Sequence, residues 1–131
     1  MRLRGYEVKP AVFAGVVALL VLFSVLSFSS ASPLPEVPVM NTVTMLDLGA
    51  KSCIPCKMMI PVLDAVEKDY AGRAAIIFID VWENREQSQK YGLRAIPTQI
   101  FYDKQGKEAF RHEGFLDKKA ISEILDKLLA Q

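Results

Sequence analysis

Beyond residue 38 the chain is a succession of short apolar runs and stripes of helical period. TVTMLDL (Thr42–Leu48) is β-branched and apolar and predicts a strand, which Gly49 ends. From Pro55 to Tyr70, Met59, Val62, Leu63, Val66 and Tyr70 recur at helical spacing. AAIIFID (Ala74–Asp80) is continuously apolar up to its final residue, as expected of a buried parallel strand. Asn84 then caps a short polar helix, REQSQKY, which Gly92 closes. TQIFYD (Thr98–Asp103) and EAFRHEG (Glu108–Gly114) flank KQG and predict an antiparallel hairpin. Asp117 caps a last helix whose Ile121, Ile124, Leu125, Leu128 and Leu129 form the stripe of a helix lying on a sheet. Strand, helix, strand, helix, strand, strand, helix is an α/β order, and it calls for a central mixed sheet with helices on both faces.

The first 38 residues follow another pattern. No charge occurs from Pro10 to Pro35, and Ala11–Phe28 is almost wholly apolar, behind Arg2, Arg4 and Lys9. A positive start followed by such a run predicts a secretory signal or a membrane anchor over residues 1–28. Its length suits an anchor that spans the membrane through residues 11–28; the small residues Ser29-Ser30-Ala31 suit cleavage. Either way the basic start stays inside, and the rest faces the periplasmic side of a cell envelope. SSASPLPEVP, residues 29–38, reads as a tether, since Pro33, Pro35 and Pro38 each lack a donor and fix φ. Residues 39–131 are enough for one domain.

Charge narrows the function. Of 16 Lys+Arg, Arg2, Arg4 and Lys9 precede the domain, and of 15 Asp+Glu, Glu7 and Glu36 do, so the remainder balances. A neutral domain has no electrostatic footprint for nucleic acid.

The chemistry lies in KSCIPCKMMIP, which holds the chain's two cysteines, Cys53 and Cys56. A structural disulfide would close almost no loop and stabilise little. A zinc site needs about four ligands, and His112, the sole histidine, lies in a distant predicted strand. A two-thiolate copper(I) carrier stays open, but thiol–disulfide exchange fits best. With Cys53 at the strand–helix junction and Pro55 in the first helical turn, Cys56 falls one turn on, within disulfide reach. Helix N-termini favour thiolate, so Cys53 is expected to be the nucleophile and Cys56, further inside, the resolving residue. Lys51 and Lys57 add weak positive charge, and Ile54, ahead of proline, is pushed toward extended geometry.

From about Thr42 to Leu129 the sequence resembles the thioredoxin superfamily. Cys53-Ile54-Pro55-Cys56-Lys57 falls on the family's C-x-x-C and following lysine, and Pro61 on the proline of its active-site helix. YGLRAIPT (Tyr91–Thr98) is similar to the segment that carries the family's cis-proline, here Pro97. The resemblance implies a thioredoxin-like three-layer sandwich, with Ile96, Pro97 and Thr98 pairing with a substrate's extended backbone beside Cys53. It also implies that Asp47, on the same strand face as Val43 and Met45, is a buried carboxylate. Desolvation would raise its pKa, so it could exchange a proton with Cys56.

Departures from the family are equally specific. Ser52 replaces the usual tryptophan, Ile54 the usual glycine, and the lysine that neighbours the carboxylate falls on Ile76. Trp82, the sole tryptophan, follows the second strand and is expected to be a rim or packing residue rather than a substitute. The expected function is an extracytoplasmic thiol–disulfide oxidoreductase, a reductant or electron carrier whose only redox group is the Cys53–Cys56 disulfide, without cofactor or metal. Its expected partners are disulfide-bearing proteins and, as electron donor, a membrane thiol reductase. An envelope oxidant or isomerase and a copper(I) carrier are the alternatives.

Overall fold

The computed structural model describes residues 33–131, so the expected signal or anchor over residues 1–28 lies outside the described residues. Among the described residues no helix is long and apolar enough to cross a membrane. The elements are β1 (Val43–Gly49), α1 (Ile54–Asp69), β2 (Ala74–Asp80), α2 (Arg85–Lys90), β3 (Thr98–Tyr102), β4 (Glu108–Glu113) and α3 (Lys118–Leu129). The described strands form one mixed sheet in the order β2-β1-β3-β4. β1 runs parallel to β2 and antiparallel to β3, and β3 antiparallel to β4.

β1 is central, and alternation divides its side chains between two cores. Val43 and Met45 meet Phe101 of β3 beneath α1 and α3, which contribute Met59, Leu63 and Leu125. Leu46 and Leu48 meet Ile79 and Ile100 on the other face, where Tyr91, Leu93 and Ile96 from the end of α2 and the following loop close over them. This is the thioredoxin-like α/β fold. Each fully buried Leu, Ile or Phe contributes about 1.5–3 kcal/mol, so these two layers hold the sheet. Tyr70 ties α1 to α3, its hydroxyl donating to Asp126 Oδ1 at 2.8 Å.

Several boundaries and environments differ from the sequence reading. Val37 is buried in the second core and Pro38 packs toward Gly106, so the end of the expected tether belongs to the folded body. β2 is an edge strand among the described residues, half-buried from Ala74 to Phe78 rather than covered. A short apolar run has the same pattern in either place. Asn84 stands at the α2 N-cap, but its side chain makes no capping bond; its Nδ2 donates to the Asp80 carbonyl at 2.9 Å. Asp117 does cap α3, its Oδ1 accepting from the Ala120 N–H at 2.9 Å. Pro61 lies inside α1 and leaves the Lys57 carbonyl without its helical donor.

Candidate functional site

The site begins where β1 ends. Beyond Gly49 the chain turns through Ala50, Lys51 and Ser52, a turn closed by the Cys53 N–H donating to the Ala50 carbonyl at 3.1 Å. Cys53 is the N-cap of α1, with extended backbone at φ −84° and ψ 127°. Pro55 occupies the first turn, where a missing N–H is harmless, and the Lys57 N–H returns to the Cys53 carbonyl at 3.0 Å. Ser52, Ile54, Pro55 and Lys57 are exposed around the mouth.

The two cysteines, both free thiols, occupy different surroundings. Cys53 is half-buried, whereas Cys56 is only 2% exposed. Burial pushes the Cys56 thiol up to about 12, and a hydrogen bond with Cys53 and the charges of Cys53 and Asp47 push the same way. Only a backbone hydrogen bond at Ala50 opposes them. Gly49 makes the close packing possible: a Cβ there would lie 3.1 Å from Phe78 Cε2, 3.3 Å from Cys56 Cβ and 3.4 Å from Cys56 Sγ.

Asp47 is fully buried on the α1 side of β1. Desolvation raises its carboxyl to about 6, although the Gln99 side chain, donating Nε2–H to Asp47 Oδ1 at 2.7 Å, works against the rise. The strand neighbours of Asp47 are Phe78 on β2 and Gln99 on β3; Ile76 stands opposite Met45. The position flanking the carboxylate is therefore Phe78, which corrects the assignment to Ile76. Either residue is apolar, so no lysine compensates the charge from that strand.

Register brings the other candidate segment to the same end of the sheet. Leu48 pairs with Thr98, so Ile96, Pro97 and Thr98 arrive beside the last residues of β1. The Ile96–Pro97 peptide bond is cis. Thr98 Oγ1 donates to the Ala95 carbonyl at 2.7 Å, and the Pro97 carbonyl accepts from the Gly114 N–H at 2.8 Å, which fixes the loop from both sides. Trp82 is 55% exposed and lines an open cleft of about 220 Å³ with Leu93, Arg94 and Ile96.

Two residues of the site escaped the sequence reading. Gln99 is one, a fully buried polar side chain whose partner becomes visible only once β1 and β3 are in register. Asp80 is the other. Its Oδ2 accepts from the Lys51 N–H at 2.9 Å, and its Oδ1 from the N–H groups of Trp82 at 2.9 Å and Glu83 at 3.2 Å. Burial pushes the Asp80 carboxyl up, but these backbone donors outweigh it and hold it below the usual range. One carboxylate thus ties the cysteine turn to the loop carrying Trp82. The available signal was a lone acid ending an apolar strand. His112 lies on β4 opposite Gln99, its ring Nε2 3.2 Å from the Phe115 carbonyl. Met58 is exposed, and no cluster of three or more His, Cys, Asp or Glu that could hold a metal occurs among the described residues.

A free cysteine at a helix mouth, a buried partner one turn later and a proline loop beside them define a dithiol site. The thioredoxin family model matches residues 34–127. A thioredoxin of Staphylococcus aureus is 41% identical over 87 residues, covering 66% of this chain and 83% of that protein. Among solved structures, chloroplastic thioredoxin z aligns with a TM-score of 0.64 at 34% identity, covering 70% of this chain and 81% of its own. The germline-specific thioredoxin Deadhead of Drosophila melanogaster aligns at 0.60 with 27% identity, covering 67% and 82%. The chain belongs to the thioredoxin family. It is a thioredoxin-type protein-disulfide oxidoreductase with Cys53 and Cys56 as its cysteine pair.

Proposed function

We propose that the protein is an extracytoplasmic reductant that delivers electrons to disulfide-bearing proteins. Cys53, the accessible sulfur, attacks one sulfur of the substrate disulfide as thiolate, and the other substrate sulfur leaves with the electron pair of the broken bond. Ile96, Pro97 and Thr98 hold the substrate's extended backbone beside the attacking sulfur. Cys56 then gives its proton to Asp47 and attacks Cys53 Sγ, expelling the second substrate thiolate. Two electrons have passed to the substrate, which takes up protons, and a Cys53–Cys56 disulfide remains. No cofactor enters, and a membrane thiol reductase returns the pair to the dithiol.

The observation that carries this reading is the inequality of the two thiols. After burial, and besides the smaller effect of the Asp47 charge, the influences that hold the proton on Cys56 are the hydrogen bond and charge of Cys53. Both vanish when Cys53 is capped by substrate, so Cys56 loosens its proton only after the first step. Asp47, at about 6, is then a base matched to neutral pH. The reducing direction is supported by the chain between Asp80 and Ile96, which holds the short helix α2 and no inserted helical domain, in keeping with a compact thioredoxin rather than a dedicated oxidant. The location rests on the charge-free apolar run from Ala11 to Phe28 behind Arg2, Arg4 and Lys9, with the tether after it.

Equilibration of the Cys53–Cys56 couple against a glutathione buffer tests the direction. A potential near the about −270 mV typical of thioredoxins is expected; one near the about −120 mV of a dedicated oxidant would overturn the reductant reading. Fractionation of cells expressing the full chain, with protease added from outside, tests the location.

A further inference from the structure

Beneath Cys56 a single row of side chains crosses the sheet. Phe78, Asp47, Gln99 and His112 are successive cross-strand partners from β2 to β4. Within it, Gln99 and Asp47 are each fully buried and joined by the 2.7 Å bond from Gln99 Nε2 to Asp47 Oδ1. Two oxygens of this pair, Asp47 Oδ2 and Gln99 Oε1, have no hydrogen-bond partner among the described residues. A buried unpaired acceptor costs about 1–3 kcal/mol, and an apolar side chain at position 99 would avoid the cost at Oε1. What Gln99 supplies in return is one donor, aimed at one carboxylate oxygen.

We infer that Gln99 is a positioning residue for the reaction: its amide clamps Asp47 Oδ1, fixes the carboxylate plane, and leaves Oδ2 as the oxygen that takes the Cys56 proton. This deepens the dithiol mechanism above and rests on it. The amide never touches substrate or sulfur; it acts through Asp47. The donated bond stabilises the carboxylate against its proton, while burial stabilises the acid. Gln99 therefore sets where, between those opposing influences, Asp47 changes from base to acid.

The surroundings leave Gln99 as the principal counterweight. Toward Asp47, α1 offers Cys56 one turn inside the Cys53 cap, β2 offers the apolar Phe78, and α3 turns Ile121, Leu125 and Leu128 to the core. His112 is one strand further, beyond Gln99, with its Nε2 at the Phe115 carbonyl. No lysine or arginine is among the causes that move the Asp47 carboxyl.

The test is Gln99→Met in the full chain, which keeps the length of the side chain and removes the donor. Two readouts are taken: the carboxyl carbon resonance of Asp47 against pH, and the pH profile of the second step, substrate release from the mixed disulfide. The Asp47 midpoint should rise by about 1 pH unit, and the release profile should move with it. Formation of the mixed disulfide by Cys53 should change by less than about two-fold, since that step does not use Asp47. An Asp47 midpoint that stays in place in the folded variant overturns the inference. If the midpoint rises and release does not follow, the clamp stands and the proton-acceptor role of Asp47 falls, so the two failures are distinguishable. Should Gln99→Met not fold, the parent protein decides. The Gln99 side-chain amide protons should titrate with the Asp47 midpoint, and amide signals unmoved between about pH 4 and 8 would overturn the clamp.

Discussion

The mouth and the floor of the cysteine site lie within one helical turn of each other and are made of opposite materials. At the mouth, Cys53 is half-buried among Ser52, Pro55, Lys57 and an Ile54 that is 75% exposed. At the floor, Cys56 is packed against Gly49 and linked electrostatically to a fully buried Asp47. The mouth is held by backbone: the Cys53-to-Ala50 bond, the start of α1, and the Asp80 carboxylate on the Lys51 N–H. The floor is held by close contact, where a single added carbon on Gly49 would lie 3.1 Å from Phe78 Cε2 and 3.3 Å from Cys56 Cβ. The lesson is that three residues suffice to carry a dithiol from water to core, provided a helix starts between them. Accessibility is given to one sulfur and proton retention to the other.

Substitutions that act on only one side separate the two halves, and the largest effect belongs to the sulfurs. Cys53→Ser should lower turnover of a disulfide substrate by more than about 1000-fold, because no second nucleophile is accessible. Cys56→Ser should instead stop after one step, and mass spectrometry should show substrate attached at Cys53. A Cys56→Ser protein that turns over at the parent rate would sink the division of labour.

Next comes the floor's acid. Asp47→Asn should slow substrate release at pH 8 by about 100-fold while leaving mixed-disulfide formation intact. The same change should stabilise the fold. The carboxyl titrates at 3.8 when unfolded and at about 6 when folded, so between those values the native state binds more protons. Stability therefore falls as pH rises through that window, by about 3 kcal/mol in all. Urea titrations should find Asp47→Asn more stable by up to that amount at pH 8 and equal to the parent near pH 4. A gain that persists at low pH would refute the assignment.

Gly49→Ala follows, with a stability loss of about 1–3 kcal/mol, since the new Cβ would press on Phe78 and Cys56 together. Chemical denaturation reads the loss. Pairing with Phe78→Leu should recover part of it if the collision is with that ring, and none if the helix has to move. The smallest effect is at the mouth. Trp82→Ala should raise KM for protein disulfides about three- to ten-fold with kcat and stability nearly unchanged, because Trp82 is exposed beside Ile96.

The same contrast separates what the sequence discloses from what it does not. Features of the mouth are local: Cys53, Pro55 and the end of β1 at Gly49 follow from spacing, and so does the Asp117 cap on α3. Features of the floor depend on pairing between strands distant in sequence. Alternation places Asp47 inward with Val43 and Met45, but it cannot say that Phe78 flanks it or that Gln99 faces it. Both facts come from register, Asp47↔Phe78 and Asp47↔Gln99, and a one-residue slip would change each partner. The edge position of β2 was hidden for a similar reason, because an apolar run carries no mark of how many neighbours it has. Asp80 was overlooked because its partners are backbone amides of Lys51, Trp82 and Glu83, which every residue type except proline supplies.

Pro61 divides α1 into two units of different permanence. By removing the donor to the Lys57 carbonyl, it leaves the turns that bear the cysteines with one fewer tie to the segment Val62–Asp69, which the core grips through Leu63 and Val66. Amide protons of Lys57 and Met58 should accordingly exchange with solvent through local openings, while those from Leu63 to Val66 wait for much rarer ones. The redox turn can then breathe to admit and release a partner without loosening the body that carries it.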